Sequence, residues 1–205
     1  TDGFGRKRHR LEAVMHKPPA ATPQIETPII IGAGIAGASL ARAFMARGIT
    51  PTVIDAGDDT AASGNPAAIV KPRFDRQDRA DSRFFITSYL YALRTYAQTQ
   101  GIISEGVFQT PKTPDESARF QDLARQAPLS DDHMTWVRGG PFGHDALYFP
   151  KAMIIDPKLI CGEFLKGAVR ITGKVASIAK DGDGWQVLDA AGQAMANGSH
   201  IIFAA

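Results

Sequence analysis

The chain has 205 residues, of which 44% are apolar and 21% charged, and its formal net charge is only +2. This composition is typical of a globular protein of one or two domains and excludes a disordered or strongly basic chain. No apolar run approaches the roughly 20 residues of a membrane span, no signal peptide opens the chain, and the single cysteine, Cys161, excludes an internal disulfide. We therefore expect a cytoplasmic protein without membrane association.

The N-terminal end is basic and leads into a proline-rich segment. The first ten residues contain one acidic residue and four basic ones, Arg6, Lys7, Arg8 and Arg10. Composition allows either a solvated end or contact with nucleic-acid phosphates. Residues 17–27 are rich in proline without a periodic apolar face, as is typical of a linker. A linker at this point implies a folded segment before it, and the absence of an initiator methionine fits a chain cut from a longer one.

The stretch from Thr27 to Asp55 has the pattern of a nucleotide-binding βαβ unit. Three isoleucines predict a buried strand, an alanine-rich segment to Arg47 predicts a helix, and a second strand ends at Asp55. Between the first strand and the helix stands a Gly-X-Gly-X-X-Gly turn made by Gly32, Gly34 and Gly37. Such glycines permit a tight turn, close approach of a pyrophosphate to the backbone, and close helix packing. The pyrophosphate is expected at the positive end of the helix.

Asp55 indicates which nucleotide this unit binds. It lies 23 residues after Gly32, where its carboxylate can accept a hydrogen bond from a ribose 2′-hydroxyl. A 2′-phosphate would be repelled by this carboxylate. The sequence therefore favours FAD or NAD over NADP.

A loop of small residues follows, from Ala61 to Val70, and leads into Lys71 and Arg73. A loop with so few large side chains can lie flat against a ligand ring, although ordinary turn chemistry explains it equally well. Lys71 and Arg73 are either an exposed pair or a site for an anionic substrate group or phosphate near a cofactor ring.

The remainder of the chain alternates helices and short strands. Helices are predicted from Asp81 to Thr99, from Pro114 to Ala127 and from Pro157 to about Leu165. The aromatic residues of the first of these helices are expected to pack in the core and its grooves: Phe84, Phe85, Tyr89, Tyr91 and Tyr96. Strands are predicted at Gly106–Gln109, Trp136–Val137, Ala146–Phe149, Lys174–Ile178, Trp185–Leu188 and His200–Ala205, the last three forming a meander that returns to a buried strand.

The sequence offers no support for a hydrolase or a metal centre. None of the five histidines has a partner at metal-ligand spacing or stands beside a nucleophile motif. Cys161 lies in a predicted helix with apolar neighbours, which favours a buried structural thiol. No catalytic acid or base is identified.

The motifs together resemble a known superfamily. The glycine turn, Asp55, the Ala62–Pro66 loop and the Tyr148–Pro157 stretch resemble the D-amino-acid oxidase and glycine oxidase superfamily of FAD enzymes. The order of the Gly3–Arg8 run, the proline-rich linker, the glycine turn and the Ala62–Pro66 loop is similar to that of the bifunctional tRNA 5-methylaminomethyl-2-thiouridine biosynthesis proteins. In that family an N-terminal methyltransferase domain precedes an FAD-dependent oxidoreductase domain.

The resemblance implies a fold and a reaction. The fold is α/β, a Rossmann-like FAD-binding βαβ domain with a doubly wound parallel sheet and part of a glycine oxidase-like α+β substrate domain. The substrate is 5-carboxymethylaminomethyluridine at the wobble position of tRNA. A hydride leaves the α-carbon of its glycine-like substituent for the flavin, and the resulting imine hydrolyses to an aminomethyl group and glyoxylate. Dioxygen is the expected electron acceptor.

The resemblance also implies site residues and domain ranges. Lys71, Arg73, Arg6, Lys7 and Arg8 are candidates for contact with the substrate or tRNA. The ranges are residues 1–16 for the end of the methyltransferase domain, 17–27 for the linker, 28–105 and 169–205 for the FAD-binding domain, and 106–168 for part of the substrate domain. FAD is expected to contact Gly32, Gly34, Ile35, Ala36, Gly37, Asp55, Ala56, Ser63, Gly64, Asn65, Ile69, Val175 and Ala204.

Three alternatives remain open on the sequence. A small amine or amino-acid oxidase shares everything from Thr27 onward but does not need the basic N-terminal run. An NAD-dependent dehydrogenase shares the βαβ unit but does not need the small-residue loop. A fragment that docks tRNA without catalysis needs only the basic run.

Overall fold

The computed structural model describes residues 25–57, 61–74 and 80–204. The basic run at Arg6, Lys7 and Arg8 lies outside these ranges, and so does most of the proline-rich segment. None of the helices in the described ranges is both long enough and apolar enough to cross a bilayer.

The chain forms four α-helices and eleven strands within the described ranges. The helices are α1 (Ile35–Met45), α2 (Ala80–Tyr96), α3 (Pro114–Gln126) and α4 (Pro157–Phe164). Two 3-10 turns span Ala62–Gly64 and Pro141–Gly143. The strands are β1 (Pro28–Ile31), β2 (Thr52–Asp55), β3 (Ala68–Val70), β4 (Ile102–Gln109), β5 (Thr135–Val137), β6 (Ala146–Ile155), β7 (Val169–Thr172), β8 (Ser177–Asp181), β9 (Gly184–Leu188), β10 (Ala194–Gly198) and β11 (His200–Phe203).

A parallel four-stranded sheet in the order β11-β1-β2-β7 forms the centre of the nucleotide-binding unit. Successive side chains of a strand point to opposite faces. Ile29 and Ile54 therefore pack against Val187 of the antiparallel β8-β9-β10 sheet, whereas Ile30 and Val53 face the main core. Burial of both faces explains the continuous apolar sequence of β1.

A third sheet includes the strands of the predicted substrate region. It has the order β3-β6-β4, and β5 also pairs with β6, all antiparallel. Its buried residues Phe149 and Met153 share the main core with Ile160 and Phe164 of α4. One core thus joins this sheet to the helical face of the parallel sheet.

Two helix starts follow their sequence signals. The Thr113 hydroxyl accepts a hydrogen bond from the Glu116 amide at 3.2 Å, and Pro114 is the first residue of α3. The Asp156 carboxylate accepts from the Leu159 amide at 3.1 Å at the start of α4. Both are N-caps followed by proline. Proline has no amide hydrogen, so it leaves no unpaired donor at the first helical position.

Several sequence predictions of local structure were wrong. The strand predicted at Lys174–Ile178 begins too early, because residues 174–176 connect β7 to β8 and only Ser177 and Ile178 belong to β8; β7 itself was not predicted. The small-residue loop contains a 3-10 turn and β3. Among the aromatic residues of α2, Tyr89 is buried, but Phe84 is 67% exposed and Tyr91 58%, because they point away from the helix face that packs on the core.

Tyr89 provides a test of this core. Its hydroxyl is buried, and the structure gives it no hydrogen-bond partner among the described residues. An unpaired buried hydroxyl costs about 1–3 kcal/mol, so Tyr89→Phe is expected to raise the free energy of unfolding by about 1 kcal/mol. Chemical denaturation at neutral pH would measure the change.

The same substitution should change the alkaline limit of stability. Burial raises the pKa of Tyr89 from 10.0 to about 12. The unfolded chain therefore loses this proton first, and the stability of the wild type falls as the pH rises from 10 towards 12. Tyr89→Phe should show less of this fall, and Tyr91→Phe, at an exposed position, should match the wild type. A wild-type curve that stays flat above pH 10 would contradict the prediction.

Candidate dinucleotide-binding site

The carboxyl ends of the four parallel strands lie side by side and carry many of the predicted cofactor residues. β1 leads from Ile31 into the glycine turn, and β2 ends at Asp55. The Gly173 amide after β7 donates to the Asp55 carbonyl, and the Ala204 amide after β11 donates to the Ile31 carbonyl, each at 2.8 Å. Ligands of open α/β sheets bind at this edge, which makes it the candidate site.

The glycine turn needs its glycines for its own geometry. Gly32 has φ +107°, which disfavours any side chain, and its amide donates to the Ile54 carbonyl at 2.8 Å. A Cβ on Gly37 would lie 1.9 Å from the Gly32 carbonyl oxygen, and a Cβ on Gly34 would lie 3.0 Å from Ser63 Oγ. Any larger residue at these positions displaces the turn or its neighbours.

The Asp55 carboxylate holds the turn from one side. Its Oδ2 accepts from the Ala33 amide at 2.7 Å, and its Oδ1 accepts from the Gly57 amide at 2.8 Å. An ionised carboxylate has about four acceptor positions, so the two oxygens retain capacity for a ribose hydroxyl. The sequence did not indicate this second task of Asp55.

Helix α1 begins immediately after the turn, and its first amides point out of the helix. The first intrahelical bond runs from the Ala38 amide to the Gly34 carbonyl at 2.9 Å. The amides of Gly34, Ile35, Ala36 and Gly37 therefore have no acceptor within the helix. Gly34, at the N-cap, supplies no side-chain acceptor. The helix end thus presents donors and a positive dipole at the carboxyl edge.

The 3-10 turn places Ser63 against this helix end. Ser63 Oγ accepts from the Ile35 amide at 3.0 Å. The Gly64 amide donates to the Ala61 carbonyl at 2.7 Å and closes the turn, and Asn65 follows in extended, exposed backbone. The small-residue loop and the glycine turn are therefore neighbours.

The other predicted cofactor residues are spread more widely. Ala56 is exposed beside Asp55. Val175 lies between β7 and β8, partly buried against the core on the β9 side of the parallel sheet. Ile69 belongs to β3 in the other sheet and is 59% exposed, a large apolar surface on a strand.

Lys71 and Arg73 line a different feature. This is a cavity of about 790 Å³ between the β3-β6-β4 sheet and helices α2 and α3. Lys71 Nζ donates to Gln109 Oε1 at 3.0 Å. The guanidinium carbon of Arg73 lies 5.1 Å from the centre of the Phe85 ring. No residue of the glycine turn lines this cavity. The structure thus brings the two basic residues together but away from the turn.

Sequence reasoning missed Arg119 of α3, which adds a third cationic side chain to the same cavity. Burial lowers the pKa of Lys71 from its ordinary value, and the nearby Arg119 guanidinium lowers it further. Three carboxylates, Asp81, Asp115 and Asp122, also line the cavity. The only sequence signal for Arg119 was its position in the predicted helix, next to Phe120, which is buried in the core.

The single cysteine and the acidic residues of the described part of the chain form no group that could hold a metal ion. Within the described ranges, no three His, Cys, Asp or Glu side chains gather as ligands would. Cys161 is buried at 7% exposure in α4, as predicted, and burial raises the pKa of its thiol.

Comparison with known families identifies the class of enzyme. A family model described as FAD dependent oxidoreductase matches residues 29–205. The chain belongs to this family. The match runs from β1 through the carboxyl-edge residues to the end of the chain. The expected cofactor, FAD, is confirmed, and the NAD-dependent alternative is not supported.

Relatives of this FAD-dependent oxidoreductase carry a more specific name. The tRNA 5-methylaminomethyl-2-thiouridine biosynthesis bifunctional protein MnmC of Maricaulis maris is 34% identical over 99% of this chain and 34% of its own length. The protein of the same name from Caulobacter vibrioides is 36% identical over 98% of this chain and 35% of its own length. The chain therefore spans about a third of the curated relatives it matches, and the resemblance inferred from the sequence is confirmed.

The fold agrees with that of solved flavoenzymes. Glycine oxidase from Bacillus cereus superposes with a TM-score of 0.60 over 82% of this chain and 54% of its own, at 17% identity. At this identity the likeness establishes the fold alone. It confirms the predicted glycine oxidase-like α/β class.

The residues at the carboxyl edge fit the ADP half of FAD. Amides without intrahelical acceptors lie at the start of α1, next to glycines that carry no side chain. A carboxylate stands at the end of β2, where a ribose would need an acceptor. This donor and acceptor set matches a pyrophosphate followed by a ribose.

Proposed function

We propose that this chain is the flavin-binding part of an enzyme that oxidises 5-carboxymethylaminomethyluridine at the wobble position of tRNA. The observation that carries the proposal is the similarity to the two MnmC relatives over nearly the whole chain. Their name assigns them to the biosynthesis of tRNA 5-methylaminomethyl-2-thiouridine, and the family match assigns this chain to FAD-dependent oxidation.

The proposed reaction breaks a C–H bond next to nitrogen. The substituent on the uridine is a glycine joined through its nitrogen, and FAD supplies the two-electron oxidant for its CH–NH bond. The substrate becomes an imine, which water hydrolyses to the aminomethyl group and glyoxylate. Dioxygen is the proposed final electron acceptor, which would then be reduced to hydrogen peroxide.

The residues at the carboxyl edge would hold the cofactor. The amides of Gly34, Ala36 and Gly37 would donate to the pyrophosphate, and Asp55 would accept from the adenosine ribose. Val175 would approach the adenine through its backbone, since its segment follows the strand next to β2. These roles are supported by the open amides of α1 and by the shared edge of the strands.

The remaining assigned residues would complete this site. Ser63, Gly64 and Asn65 would follow the pyrophosphate towards the flavin, whose ring the exposed side chain of Ile69 would contact. Ile35, Ala56 and Ala204 would lie along the same edge, and Gly32 would shape the turn.

The basic residues would contact the anionic substrate. Lys71 and Arg73 share a cavity large enough for a substrate group, and Arg119 adds a positive charge there. Arg6, Lys7 and Arg8 would contact tRNA phosphates, where each contact would make binding sensitive to salt. In the whole protein we propose a fused methyltransferase domain, with the domain ranges given above, and a cytoplasmic location where tRNA is modified.

A visible spectrum of the purified full-length protein tests the proposal. Flavin absorbance should bleach on anaerobic addition of tRNA that carries the carboxymethylaminomethyl group, and glyoxylate should form in equal amount. Free glycine at the same concentration should not bleach it, and tRNA with an unmodified wobble uridine is the matched control.

Other outcomes would support the alternatives. Bleaching by small amines but not by tRNA would favour a small amine or amino-acid oxidase. A protein that binds tRNA but neither binds nor reduces FAD would favour a docking role without catalysis. In that case Arg6→Ala with Arg8→Ala should abolish the RNA affinity.

A further inference from the structure

The Ser63 hydroxyl occupies an unusual position for a residue assigned to the cofactor. Helix α1 has no side chain at its own N-cap, because that position is Gly34. The acceptor for the first helical amide comes instead from 28 residues away, where Ser63 Oγ accepts from the Ile35 amide at 3.0 Å. Ser63 thus performs for α1 what an N-cap side chain ordinarily performs.

The neighbours of Ser63 fix its hydroxyl in this place. A Cβ on Gly34 would lie 3.0 Å from Ser63 Oγ and 3.7 Å from its Cβ, so the approach depends on glycine at 34. Helix α4 packs against the 3-10 turn Ala62–Gly64, which carries Ser63. The 3-10 turn that carries Ser63 therefore contacts both the glycine turn and α4.

Two side chains hold alternate amides of the turn. Asp55 holds the Ala33 amide at 2.7 Å, and Ser63 holds the Ile35 amide at 3.0 Å. The amides of Gly34, Ala36 and Gly37 then remain for a ligand. Fixing Ala33 and Ile35 sets the backbone direction of the amides between and after them.

We propose that Ser63 is a positioning residue, whose hydroxyl caps α1 and holds the phosphate-binding turn in its binding conformation before FAD is present. Part of the affinity for FAD then comes from a bond that exists in the free protein. Pre-organisation of this kind strengthens binding because the turn need not be ordered when the ligand arrives. The inference rests on the proposed placement of the FAD pyrophosphate at this turn.

The test compares Ser63→Ala, Ser63→Thr and the control Ser39→Ala in the purified protein. Ser39 is a matched serine, since its hydroxyl donates to the Ile35 carbonyl at 2.6 Å and caps no amide of the turn. Hydrogen exchange of the Ile35 amide is measured without FAD, and the Kd for FAD is measured by quenching of flavin fluorescence. Ser63→Ala should raise both the exchange rate and the Kd about tenfold, as loss of an N-cap does. Ser63→Thr should restore both, and Ser39→Ala should change neither.

Three results would overturn the inference, and they separate it from the site assignment. A weaker Kd with unchanged Ile35 exchange would mean that the hydroxyl acts on FAD alone, and the site would stand. Faster exchange with an unchanged Kd would leave Ser63 a purely structural cap. A wild-type protein that binds no FAD would remove the site assignment itself, whatever the exchange rates, and the inference with it.

Discussion

Gly37→Ala is expected to abolish FAD binding and to lower the free energy of unfolding by roughly 3 kcal/mol. The added Cβ would lie 1.9 Å from the Gly32 carbonyl oxygen and 3.3 Å from Ile30 Cγ2. The nearest atom is backbone, so no rotation of a side chain relieves the overlap. Either α1 moves away from β1 or the turn changes its conformation, and both displace the amides at the start of α1. Equilibrium denaturation and a flavin-binding titration would measure the two effects.

Gly162→Ala is the matched control for this substitution. Gly162 also lies within a helix, α4, but a Cβ there would meet nothing within 4 Å. Alanine is preferred over glycine inside helices by about 1 kcal/mol, so this variant should be slightly more stable than the wild type and bind FAD equally well. A Gly37→Ala protein that binds FAD with wild-type affinity would show that the helix and strand separate at no cost to the site.

The glycine turn illustrates what the sequence predicts well. Its position between an apolar strand and an alanine-rich helix is a local pattern, and the structure places Gly32, Gly34 and Gly37 as that pattern requires. Asp55 follows from the same pattern, because a βαβ unit has a nearly fixed length. The N-caps at Thr113 and Asp156 are local as well.

Contacts between distant segments could not be predicted in the same way. The bond from the Ile35 amide to Ser63 joins residues 28 positions apart. Lys71 and Arg119 line one cavity because α3 packs on the β3-β6-β4 sheet. The periodicity of apolar residues does not predict contacts between such distant segments. They depend on how the two sheets share one core, which a single sequence does not specify.

Short strands were the other weakness of the sequence. β3 has three residues and β7 has four, too few for an alternation to be recognised. β7 exists because it pairs with β2 in the register Thr52 to Val169 and Asp55 to Thr172. Its side chains are mostly exposed, so tertiary pairing and not apolar content defines the strand. The predicted strand at Lys174–Ile178 was only partly right for the same reason, since residues 174–176 connect the pairing of β7 to that of β8.

Asp55→Ala should weaken FAD binding by about 100- to 1,000-fold. The lost hydrogen bond from a ribose hydroxyl to a charged acceptor accounts for about 1.5–3 kcal/mol. The substitution also removes the acceptor of the Ala33 and Gly57 amides, at 2.7 and 2.8 Å, so the turn loses one of its two side-chain supports. We expect about 1 kcal/mol from that second effect. Calorimetric titration with FAD would give the total.

Two further variants separate the ribose contact from the support of the turn. Asp55→Asn keeps one carbonyl oxygen for the Ala33 amide but loses the charge, so its affinity for FAD should fall between those of the wild type and Asp55→Ala. Asp145→Ala removes a carboxylate that accepts from the Gly139 amide at 2.9 Å in another glycine-rich turn. It should reduce stability without changing the Kd for FAD. An Asp55→Ala protein whose Kd stays within about threefold of the wild type, a difference under 1 kcal/mol, would show that FAD does not use this carboxylate.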